Sequence, residues 1–173
     1  NGTYMPLDPT WVPFCRELWS SAEQQQNYLP GVPEGSDLCI TPVSAPENHY
    51  VRIKADNRLD ADGTLRGTFT LTAEGQSDSN IRRIFTTGFQ SEWKSTMERQ
   101  LLAISPKARL LSVDYGKNPK YYQAAPIKIT FRYEIPDYAL RGEGEMFFRP
   151  MVMNNLYNQV RSYMWIDTSV EIG

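Results

Sequence analysis

Histidine is almost missing from this chain of 173 residues, with a single copy, and cysteine occurs only twice. That scarcity narrows the chemistry. A structural or catalytic zinc site needs three or four ligands at fixed geometry, and His49, after Asn48 in a polar linker, has none placed for it by spacing. A surface imidazole is the expected state. Cys15 and Cys39 form no CxxC pair. They are either two reduced thiols or a disulfide, which would close a loop of about 25 residues and stabilise by on the order of 3 kcal/mol. GxxxxGK, GxGxxG, HExxH and GxSxG are all missing, which removes the best-understood phosphate, dinucleotide, zinc-protease and serine-hydrolase motifs. Long apolar runs are missing too: none approaches the ~20 residues that cross a bilayer, and mean hydropathy is −0.50. Nor is there a basic excess. Lys and Arg number 18 against 20 Asp and Glu, a net charge of −2, so no nucleic-acid partner is expected. No repeat, low-complexity tract or cofactor motif is visible, and no cofactor or metal is expected.

What is present divides the chain into two textures. Hydrophobic residues make up 40% and aromatics 12%, enough for a core. Residues 12–49 carry many breakers (Pro13, Pro30, Gly31, Pro33, Gly35, Pro42 and Pro46) and little periodicity. They should lie over a surface, with one short strand in "DLCITP" and a short helical stretch in "CRELWSSAEQQQ". From Tyr50 alternation begins. "YVRIKADNRL" and "TLRGTFTLTAEG" flank "DADG", which supplies hairpin turn chemistry. Ser77 or Asp78 is placed to cap a helix that Gly88 ends. A second helix follows, with Trp93, Met97, Leu101 and Ile104 on one stripe and Pro106 beyond it. "ARLLSVDYG", "PIKITFRYEIP" and "EGEMFFRPMVM" read as strands, and the segment from Leu156 should begin helical and finish extended. Ile127, Ile129, Phe131, Tyr133 and Ile135 alternate with polar residues, as in an antiparallel sheet buried on one face. The expected fold is α+β, mainly β: an antiparallel β-sandwich-like domain with two covering helices over residues 50–173, preceded by a loop-rich segment, 1–49.

Candidate chemistry is thin. "DADG" opens like a calcium loop but lacks the later oxygen ligands, so it reads as a turn. Glu143 and Glu145 would point the same way on a strand, as edge charges or as an acid/base pair. Tyr115, Tyr121 and Tyr122 with Lys117 and Lys120 form either a tyrosine-rich strand end or an aromatic, basic loop able to stack a sugar or a base. Asp8, before Pro9, sits where a strand runs into a turn.

"GTYMPLDPTW" resembles the last catalytic segment of transglutaminase-like, papain-fold domains. "LWSSAEQQQNYLPGVPEGSDLCITP" is similar to the wrapping stretch after it. "NRLDADGTLRGTFTLTAEGQSDSNIRRIF" and "PIKITFRYEIPDYA" resemble the β-rich DUF3858 domain that follows in large bacterial proteins of that group. The resemblance implies that residues 1–49 end a papain-like domain. It also implies that Asp8 is the remnant of a Cys-His-Asp triad whose Cys and His lie upstream. Cys15 and His49 fall on the wrong side of Asp8 in chain order to replace them. The chain by itself is therefore expected to be catalytically inert, an accessory module partnered by the upstream transglutaminase-like domain of a cysteine peptidase or transamidase. The same resemblance implies a periplasmic or extracellular location. A ligand-binding or carbohydrate-binding module, with a peptide or glycan partner, is the alternative.

Overall fold

The computed structural model describes residues 24–122 and 125–149. Asp8, Cys15 and the segment from Leu156 lie outside the described residues. The order of elements is β1 (Asn27–Tyr28), β2 (Cys39–Ile40), β3 (Tyr50–Leu59), β4 (Leu65–Glu74), α1 (Gly75–Thr87), α2 (Trp93–Leu102), β5 (Arg109–Asp114), β6 (Ile127–Ile135), β7 (Leu140–Arg141) and β8 (Met146–Phe147). Four long strands form one antiparallel sheet in the order β3-β4-β6-β5, and β1-β2 and β7-β8 make two small ones. The fold is α+β and mainly β, as the alternation predicts.

The β3-β4 hairpin forms because Asp60 to Gly63 turn the chain without strain. Gly63 adopts φ +83° and donates its amide to the Asp60 carbonyl at 2.9 Å. The Thr64 amide donates to the Asp62 carboxylate at 2.9 Å and holds that carboxyl below its usual range. The acidic run is thus consumed by the turn, and among the described residues no cluster of three or more metal-ligating side chains occurs.

Register then sorts the faces. Val51, Ile53 and Ala55 of β3, Phe69, Leu71 and Ala73 of β4 and all five odd-numbered residues of β6 are buried on the side that meets the helices. Phe69 lies directly opposite Phe131, ring on ring at 4.3 Å between centroids, with Tyr133 edge-on to Phe69. Such aromatic pairs add about 0.5–1.5 kcal/mol beyond the area they bury. Ile81 and Phe85 of α1, and Trp93, Met97 and Leu101 of α2, close the core. The expected apolar stripe of the second helix is therefore its buried stripe, with Ile104 packed at its edge.

Gly67 marks a crossing. Asn57, Gly67 and Tyr133 are aligned across three strands, and the Tyr133 hydroxyl donates to the Asn57 side-chain oxygen. A Cβ at Gly67 would collide with that Asn57 oxygen and with the Asp56 carbonyl. The missing side chain is what lets the phenol reach across the middle strand.

Two local expectations are corrected. Helix α1 begins two residues before Ser77: Glu74 is its N-cap, with its carboxylate accepting from the Gly75 amide at 3.2 Å. Ser77 and Asp78 are buried inside the first turn instead. Glu143 and Glu145 do not share a strand face, because only Met146 and Phe147 of their segment are extended. The two acids sit in the bend of a tight hairpin closed by the Gly142 amide on the Glu145 carbonyl, at 2.9 Å. Glycine at 142 and 144 favours the turn over continued pairing.

Candidate functional site

Among the described residues the most constrained polar group is Asp78 with Arg82, one turn apart on the inner face of α1 and exposed by 1% and 3%. Arg82 Nε meets Asp78 Oδ2 at 2.5 Å and Nη2 meets Oδ1 at 3.1 Å, a two-pronged pair. The other donors of Arg82 reach the carbonyls of Asn118, Pro119, Tyr121 and Ala125. Asp78 also accepts the Ile127 amide at 2.6 Å. A single helix turn thereby organises the loop between β5 and β6 and fixes where β6 begins. Burial pushes the Asp78 carboxyl above its ordinary range, while the Arg82 charge and the Ile127 amide pull it down and do not fully offset the burial. A buried charge pair with every arginine nitrogen engaged is a clamp; it has no donor left over for a ligand.

Beside the clamp lies a cavity of about 290 Å³, bordered by Arg82, Gly116, Lys117, Tyr121, Pro126 and Lys128. It uses part of the aromatic, basic loop seen in the sequence, but most of that loop is committed elsewhere. Tyr115 packs edge-on to Phe85 and Trp93, at 5.7 and 5.4 Å. Tyr122 stacks over the Arg82 guanidinium at 5.7 Å, and the Lys120 ammonium sits 5.7 Å over Trp93. Of the three tyrosines only Tyr121, 44% exposed, presents its ring at the surface. Of the aromatic loop, one ring stands beside the cavity and the other two are packed.

His49 is not a surface imidazole. It is half-buried at the start of α1, where its Nδ1 accepts the Gln76 amide at 3.0 Å. The ring proton is therefore on Nε2, and that nitrogen is buried with no hydrogen-bond partner among the described residues. Gly75, with φ +62°, leaves the space the ring fills; a Cβ there would strike His49 and the Asn48 carbonyl. The imidazole supplements the helix cap, which no motif in the sequence announces.

Residues 24–49 form a strap ahead of the main sheet. Gln25 and Gln26 exchange backbone bonds with Thr41, and the Thr41 hydroxyl accepts from the Gln26 amide at 2.9 Å. Cys39 is half-buried there. None of the strap's side chains joins the hydrophobic core, while Leu29, Leu38, Ile40 and Val43 are 59–69% exposed. Among the described residues no helix is long and apolar enough to cross a membrane. Comparison of the chain with protein-family models, with curated proteins and with solved structures returned no match.

Proposed function

We propose that the chain is a non-catalytic accessory module of a transglutaminase-like cysteine peptidase or transamidase, packing against the catalytic domain and positioning it. The observation that carries this reading is the strap. Four large aliphatic side chains stand in water on a segment that adds nothing to the core beside it. Exposed apolar side chains gathered on one segment are characteristic of an interface whose other half is elsewhere. The resemblance of the opening segment to the end of a papain-like domain names that other half. On this reading Asp8 completes the parent's triad, and the parent works in the periplasm or outside the cell.

The test is calorimetric titration of the chain into the parent's separately purified catalytic domain. Wild-type chain should bind, and Leu38→Ser with Ile40→Ser should bind more weakly by at least about a hundredfold, since each leucine-sized side chain contributes about 1.5–3 kcal/mol when buried. The thermal midpoint of the variant should be unchanged. Absence of any association would overturn the proposal. So would turnover of glutamine-containing peptides by the chain alone that thiol alkylation abolishes.

A further inference from the structure

We propose that one end of the sheet is a binding track for an acidic polysaccharide, a chain of uronate-type sugars, seated by one ring in the cavity beside Tyr121. The inference rests on residues other than the strap and stands or falls separately from the accessory role. Among the described residues both helices cover the same face of the four-stranded sheet, which leaves the other face polar. Its composition is uneven in sign. Arg52, Lys54, Arg58, Arg66, Arg109, Lys128 and Arg132 project there against Asp56, Asp114 and Glu134, on a chain whose acids outnumber its bases by 20 to 18.

The two ends of that face differ. At the hairpin end Arg58 and Arg66 pair with Asp60, and Arg66 and Arg109 pair with Glu134, so the charges there largely answer one another. At the opposite end the register sets Arg52, Thr72 and Lys128 in one row, which carries charge of one sign, and Lys54, Thr70, Thr130 and Asp114 in the next. Two cations and a hydroxyl in the first row span two interstrand spacings, roughly 10 Å. Lys128 belongs to this row and also borders the cavity, as does Lys117. The cavity and the cationic row are therefore continuous through one lysine. Each end of the path carries a tyrosine: Tyr121 at the cavity, and Tyr50, whose ring lies 5.0 Å from the Arg52 guanidinium.

These groups select a ligand class. A volume of about 290 Å³ holds one sugar ring, an exposed phenol ring offers a face for it, and threonine hydroxyls suit its hydroxyl groups. Lysine and arginine on either side suit the carboxylates of a uronate. Single-stranded nucleic acid fits less well, because it is held on successive aromatic platforms and the row between the tyrosines has none.

Calorimetry with an oligogalacturonate as probe decides the matter, with a neutral glucan and inorganic polyphosphate as comparators. The oligogalacturonate should bind and the glucan should not. Arg52→Glu and Lys128→Glu should each weaken binding about tenfold. Binding should fall as salt rises from about 0.1 M to about 1 M, where the screening length drops from about 10 to about 3 Å. Tyr121→Ala should weaken it as well. Should a charge reversal fail to fold, Arg52→Gln and Lys128→Gln at the same exposed positions give the same readout. No binding, equal binding of the glucan, polyphosphate binding as tight as the oligogalacturonate, or folded variants with wild-type affinity would each overturn the proposal.

Discussion

Replacing Arg82 by methionine should be among the most damaging single changes available to this protein. Methionine keeps the length and most of the apolar stem but removes the charge. Asp78 then remains 1% exposed with only the Ile127 amide to satisfy it, and the carbonyls of Asn118, Pro119, Tyr121 and Ala125 lose their common donor. Breaking one side of a buried ion pair costs about 3–5 kcal/mol. The carbonyls at the surface recover water and add little, so the same range applies to the whole change. Against a typical stability of about 5–15 kcal/mol this is about a fifth or more, and it corresponds to a fall of roughly 10–20 °C in Tm. Urea and thermal melts followed by circular dichroism would measure it. The companion variant Asp78→Leu with Arg82→Met removes both charges, and it should regain at least about 2 kcal/mol over Arg82→Met alone, because an apolar pair no longer strands a carboxylate. A loss below about 1 kcal/mol for Arg82→Met, or a double variant no better than the single, would refute the reasoning.

Two further outcomes follow from the core. Burial pushes the Tyr133 hydroxyl well above its ordinary range, with Tyr138 adding to the effect and the Asn57 bond opposing it. The native state thus holds this proton more tightly than the unfolded chain, so stability is full below about pH 10 and falls above it by up to about 1.4 kcal/mol per pH unit. Tyr133→Phe should cost about 1 kcal/mol at neutral pH and flatten that alkaline decline in urea melts; an unchanged slope would exclude Tyr133 as its source. Gly67→Ala places a Cβ against Asn57 and should cost about 1–3 kcal/mol. Part of that loss should return in Gly67→Ala with Asn57→Ala, and strictly additive losses in the melts would show that the collision lies elsewhere.

Elements whose logic is local were legible in the sequence. The DG turn, the alternation of Ile127 to Ile135 and the stripe of Trp93, Met97 and Leu101 each reflect a period set by one element burying one face. Asp78 and Arg82 escaped for the opposite reason. Four residues apart on a helix, an acid and a base look like an ordinary solvated pair, and what buries them is a loop some forty residues downstream. Tyr115 and Tyr122 stayed open between a strand end and a binding loop, since a cluster of rings in a loop has the same composition whether it faces a ligand or closes a core. His49 gave no signal at all. Its role depends on a glycine 26 positions later adopting a left-handed backbone, a coincidence of space that no spacing rule encodes. The open face of the sheet was half visible: alternation fixed which residues face outward, while the sign imbalance emerged only when register placed Arg52 and Lys128 in one row.

The junction of β4 with α1 has a mechanical meaning. Glu74 ends the strand and Gly75 opens the helix with no residue between them, and the imidazole of His49 is bolted to the next amide at 3.0 Å. A pull on the strap is therefore delivered through that ring to the head of α1, one turn ahead of Asp78, and from there to the loop that shapes the cavity. A load taken up by the strap would register at that loop without any hinge, in the way a lever turns on a rivet.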